Sequence, residues 1–140
     1  MQSSWTRTWM TGIWMTGMLL AWGGGAAFAH HSFVAEYDGS KAITLTGAVT
    51  KLEWTNPHAR FYIDVKDTAG AVVHWELELG SPNTLIRYAW KRDTLKVGDT
   101  VTVEGYLARD GSKMANAKTV KFANGVAFNA GSSSGLQETK

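Results

Sequence analysis

Apolar and polar residues alternate along most of the chain, and the phase of that alternation divides it into elements. In "AITLTGAVTKLEW" (42–54), Ile43, Leu45 and Val49 share one face, after which Leu52 and Trp54 take up the opposite phase. Successive side chains of a strand point to opposite faces, so a phase change within one strand requires a bulge or coil. Gly47 is the expected place for the sheet to bend. "RFYIDVKD" sends Phe61, Ile63 and Val65 inward and Arg60, Tyr62, Asp64 and Lys66 outward, with "DTAG" (67–70) as the hairpin turn. "VVHWELEL" then places Val73, Trp75, Leu77 and Leu79 inward and leaves His74, Glu76 and Glu78 on the exposed side.

The period changes from two to helical at "GSPNTLIRYAWKRD", where Leu85, Ile86, Ala89 and Trp90 fall on one face. Ser81 as N-cap and Pro82 at the first helical position mark the start. "KVGDTVTVEGYLARDGSKMANAKTVKF" reads as two strands joined at Asp110-Gly111, Asn124-Gly125 makes a further turn, and "NAGSSSGLQETK" (129–140) has the composition of a disordered tail. Three strands in a meander, one helix, then two strands predict a mainly β fold: a small five-stranded OB-like barrel with one helix between strands 3 and 4. An immunoglobulin-like sandwich would need about seven strands and no central helix.

The first 29 residues follow a different pattern. A cation (Arg7), the apolar run "WMTGIWMTGMLLAW" and small residues before a cut site are the parts of a secretory signal peptide. The run is shorter than the roughly 20 apolar residues needed to span a bilayer, so cleavage is expected rather than a membrane span. The expected division is a signal peptide at 1–29, a histidine-containing arm at 30–41, a barrel domain at 42–128 and the tail. Periplasmic or secreted localisation follows from that leader.

Charge and cysteine content narrow the chemistry. Of fourteen cations against twelve acids only Arg7 lies in the leader, so the mature part carries a formal charge of +1. That balance gives little attraction for nucleic acid or an anionic membrane. With no cysteine, disulfides, thiolate nucleophiles and thiolate metal sites are excluded. No glycine-rich phosphate loop and no nucleophile elbow occur, and Ser32 beside His31 is only a neighbour in sequence, so no enzyme activity is expected.

The stretches "HHSFVAEYD", "VTKLEWTNPHARFYIDVKD", "SPNTLIRYAWKRDTLKVGDTVTVEGY" and "ARDGS" together resemble a bacterial family of small exported proteins catalogued as a domain of unknown function, number 6152. The resemblance runs from His30 to Val126. It implies export and a small β-rich domain, and it brings no catalytic residues.

Candidate chemistry centres on histidine. "AFAHHSF" puts Ala27 and Ala29 before a cut that would make His30 the first mature residue, its amine and imidazole able to grip one metal ion. A cut after Ala27 would instead leave Phe28-Ala29-His30, whose amine, two amide nitrogens and imidazole form a square-planar chelate. Both sets suit Cu(II), which leads the affinity order of the divalent metals. His58, in "TNPHAR", follows a proline that fixes its loop, and that loop borders the usual ligand face of such barrels. His58 is therefore the expected partner of His30 or His31.

Other features have plainer readings. The row His74, Glu76 and Glu78 could bind zinc or exchange protons, yet such rows are usually solvated sheet surface. Trp54, Trp75 and Trp90 fall on apolar phases and read as core. Tyr62, Tyr88 and Tyr106 could form an aromatic row for stacking. Arg87, Lys91, Arg92 and Asp93 cluster at the helix end, where cations complement the helix dipole. The function expected from sequence is a small exported binding protein holding copper(II) through its processed N-terminus and His58. The alternative is a metal-free periplasmic interaction module that docks an envelope protein or glycan through its barrel face or through the Arg87-to-Asp93 surface.

Overall fold

A computed structural model describes residues 33–132. Among them the alternating segments become β1 (Tyr37–Glu53), β2 (Arg60–Lys66), β3 (Val72–Glu78), β4 (Thr100–Ala108), β5 (Met114–Phe122) and a short β6 (Ala127–Asn129). Helix α1 (Pro82–Arg87) lies between β3 and β4. The strands run in the order β3-β2-β1-β4-β5-β6, and β3 also pairs with β5. That last pairing, parallel where the others are antiparallel, closes a ring of five strands. This is the OB-like barrel expected from the order of elements, with β6 added outside the ring.

β1 is long enough to serve both halves of the ring, pairing β4 along its earlier part and β2 along its later part. The two pairings meet at Ala48, which lies opposite Asp64 on one side and Thr100 on the other. A Cβ on Gly47 would lie 2.4 Å from the Asp64 carbonyl oxygen, so only glycine allows the approach. The phase change occurs slightly later, where the register slips between Val49 and Lys51 and Thr50 is left over. Leu45 and Val49 before the slip and Leu52 after it thereby all face the interior, with Phe61, Ile63, Trp75, Leu77, Val101, Val103 and Val120.

Helix α1 begins as its sequence requires, with Ser81 Oγ accepting from Thr84 N at 3.2 Å and Pro82 in the first turn. It ends sooner than the pattern suggests. Trp90 N donates to Leu85 O and Ala89 N to Ile86 O, a Schellman-type closure in which Ala89 takes φ 65°. The expected apolar face is therefore only half used: Leu85 and Trp90 are buried, whereas Ile86 and Ala89 are exposed. Trp90 plugs the barrel end, its Nε1 donating to Asn129 O at 2.7 Å and its ring resting against Phe128.

The domain edges also differ from expectation. β1 starts at Tyr37, ahead of Ala42, and residues 33–36 form a helical turn. Phe33 and Tyr37 are buried with Ala108 in a second apolar cluster, so the described part of the arm is packed onto the barrel. Arg109 holds it there, its Nε donating to Val34 O at 2.7 Å. At the other end Asn129 belongs to β6 and Ala130 is fully buried, so the tail starts later than 129. Asn129 and Ala130 read as part of the disordered tail in sequence, but their backbones complete the β5–β6 edge. Residues 1–32, which hold the expected leader, His30 and His31, and residues 133–140 lie outside the described part. Among the described residues no helix is long and apolar enough to cross a membrane.

Candidate functional site

The β2–β3 hairpin positions the site through its register. Asp67 Oδ1 accepts from the amides of Ala69 and Ala71, fixing the turn, and the ladder then places Arg60 opposite Glu78. Pairing continues past β2, because Ala59 N donates to Gly80 O and Leu79 N to Ala59 O. Ala59 points inward and is fully buried. Residues two apart on extended chain share a face, so His58 and Arg60 both flank Glu78. The closing seam brings Asn116 of β5 directly opposite Glu78, and the start of β1 lays Tyr37 over the same carboxylate.

Glu78 is thus enclosed, with 5% of its surface exposed. Its Oε1 lies 3.1 Å from His58 Nδ1 and accepts from Asn116 Nδ2 at 3.2 Å. Its Oε2 accepts from the Tyr37 hydroxyl at 3.1 Å and has Arg60 Nη2 at 3.8 Å. Arg60 also reaches Glu76 through Nη1 at 3.3 Å, while its Nε is buried with no hydrogen-bond partner among the described residues. Burial alone would raise the Glu78 carboxyl, but His58, the Tyr37 hydroxyl and Arg60 together hold it below its ordinary value. Burial, reinforced by the Glu78 charge, pushes Tyr37 strongly upward and keeps its hydroxyl a donor. The hydrogen bond to Glu78 raises His58, against the opposing effects of burial and Arg60.

This arrangement orients an imidazole. With Nδ1 turned to a buried carboxylate, neutral His58 carries its lone pair on Nε2, which has no partner among the described residues. The His58 side chain is 39% exposed, so the ring is reachable as well as fixed. Carboxylate–histidine pairs of this kind are how proteins set the tautomer and basicity of a metal-ligating imidazole. The oxygens of Glu78 are already engaged, and the described residues contain no group of three His, Asp or Glu side chains able to hold a metal ion. Within the described part, the site offers one nitrogen donor.

The structure separates residues that the sequence grouped. Glu78 is buried rather than exposed, because the seam and Tyr37 cover its face. Glu76 turns to Arg60, and His74 pairs across strands with Asp64 in solvent, so the row on β3 does not converge. Nor do the tyrosines form a row: Tyr62 stands opposite Lys51 and Tyr106 opposite Ala42, near opposite ends of β1, and Tyr88 follows the helix. Trp75 and Trp90 are core, and Trp54 is half-buried against it. Lys91 and Arg92 lie in the turn after α1 rather than on it.

Sequence reasoning missed Tyr37, Arg60, Glu78 and Asn116 as a network. Part of it could have been found. The "DTAG" turn sets the hairpin register, and that register puts Arg60 across from Glu78. Tyr37 and Asn116 depend on the return of β1 and on the ring closure, which local pattern does not encode.

A family model described as a family of unknown function (DUF6152) matches residues 18–117. No curated protein matches the sequence. Among solved structures, one similar fold is that of the mitochondrial single-stranded DNA binding protein Rim1 from S. cerevisiae. It is 10% identical, with a TM-score of 0.47, over 59% of this chain and 93% of that one.

Proposed function

Because the chain belongs to the family of unknown function DUF6152, membership carries no activity, and we propose from the site that it is a small exported binding protein for a copper(II) ion. His58 Nε2 supplies one donor, and the processed N-terminus, with His30 or His31, supplies the others. The observation that carries this reading is the bond from His58 Nδ1 to the enclosed Glu78 carboxylate. An imidazole that merely decorates a loop has no need of a buried anion with three further partners. Nitrogen donors favour copper over its divalent neighbours.

A second observation supports the composition of the ligand set. Phe33 stacks on Tyr37, with ring centroids 5.7 Å apart, and Tyr37 donates to the carboxylate that holds His58. The described chain thus begins beside the network, and His30 and His31 precede Phe33 by only a few residues. The raised pKa of His58 means that protons compete with the metal, so affinity should climb as pH passes upward through the His58 titration.

The test is calorimetric titration of the exported, processed protein with copper(II), its first residue located by intact mass. His58→Ala is expected to weaken binding by at least about tenfold, since it removes a donor and losing a group that merely supports a donor already costs that much. His74→Ala should leave binding unchanged. If His58→Ala binds copper as wild type does, or if the leader is retained, the shared site is wrong.

A further inference from the structure

Away from the His58 network, an open groove of about 610 Å³ runs between the β1–β2 loop and α1. Its lining includes Trp54 and Asn56 from the loop, Asn83 and Ile86 from the helix, and Lys91 and Arg92 from the turn that follows. Ile86 belongs by sequence to the apolar face of the helix, but the early Schellman closure turns Leu85 and Trp90 inward and leaves Ile86 58% exposed. The groove therefore presents an aliphatic side chain that the core does not use, beside a half-buried indole.

The charge at this groove is also unspent. Lys91 and Arg92 are exposed and enter no ion pair among the described residues, and Asp93, next in sequence, pairs with neither. A short helix of six residues has little dipole for these cations to complement. Asn56 on the loop and Asn83 on the helix are both exposed, and each amide can both donate to and accept from a peptide backbone.

We infer that this groove binds a short extended segment of an acidic protein partner, with an aliphatic side chain seated between Ile86 and Trp54 and carboxylates meeting Lys91 and Arg92. The two asparagines pair with its backbone. A peptide fits better than an acidic glycan because the exposed apolar surface is an aliphatic side chain, whereas sugars need the flat face of a ring, and the Trp54 ring is half-buried. The inference does not rest on copper binding. It shares with that reading only the loop that carries both Asn56 and His58.

The experiment pans a phage-displayed library of random peptides on the full chain in the presence of EDTA, then measures selected peptides by fluorescence anisotropy. Enriched peptides should combine Asp or Glu with Leu, Ile or Val, and their affinity should fall as salt rises. The exposed-site variants Ile86→Asp and Lys91→Glu/Arg92→Glu should each lose about tenfold or more in affinity, with circular dichroism verifying that they remain folded. His58→Ala should bind the peptides as wild type does, which separates this groove from the copper site. Neutral or basic consensus sequences, or equal binding to the groove variants, would overturn the inference. Binding of oligogalacturonate that depends on Arg92, without acidic peptides being selected, would also overturn it and assign the groove to glycan.

Discussion

At one end of β3, Glu78 meets His58 under the cover of Tyr37 and Asn116. Toward the other end His74 meets Asp64 in open solvent, with 80% of its side chain exposed. Both are histidine–carboxylate pairs on one β-hairpin, brought together by the same ladder. The difference lies in what surrounds the carboxylate. Exposed ion pairs gain little, because water screens them and two side chains must be held still. An enclosed carboxylate has lost its water, and every partner that replaces that water becomes necessary. Burial, rather than pairing, makes one pair a site and leaves the other a surface feature.

The sharpest way to break this contrast is to remove the carboxylates in turn. Glu78→Ala should lower unfolding free energy by about 3 kcal/mol in urea titration, because the Tyr37 hydroxyl would be left buried without its acceptor and Arg60 and His58 without the carboxylate they share. A loss below about 1 kcal/mol would mean that the cover over Glu78 opens readily to water. Tyr37→Phe should cost about 2 kcal/mol by the same measurement, the expected loss of a buried hydrogen bond to a charged group.

Next in size is the response to pH. His58 is raised above its ordinary value of 6.5, so its stabilising contribution is complete below that value and is lost as pH rises through the folded-state pKa. Glu78 is lowered from 4.5, so its contribution is present above that value and is lost as pH falls through its folded-state pKa. The network should favour the folded state most between about pH 4.5 and 6.5. Denaturant midpoints measured across pH should decline on the alkaline side in wild type, and His58→Ala should flatten that decline. The smallest effect is expected at the other end of the strand, where Asp64→Ala should change stability by less than about 0.5 kcal/mol.

The same contrast explains how much was legible in the sequence. Alternation placed Phe61, Ile63, Trp75 and Leu77 inward because each strand has one dry face, and Ser81-Pro82 and Asp110-Gly111 mark their turns with local chemistry. His58 stood out because a proline precedes it. Glu78 did not, since period two assigns it to the wet face, and only the meeting of three distant segments makes that face dry. Ile86 failed for the opposite reason. Helical period promised it a dry face, but the chain left the helix one turn too early to provide one.

The seam between β3 and β5 consists of three residue pairs, and its last joins Glu78 to Asn116. The clasp of the ring and the anchor of the imidazole are therefore one piece of structure. Unzipping the barrel at that point strips the carboxylate of its neighbours and frees His58, while an ion that His58 helped to hold would bind the shut ring more tightly than the open one and so favour it. Copper would then protect the β3 and β5 amides from exchange with solvent, far beyond the few atoms it touches.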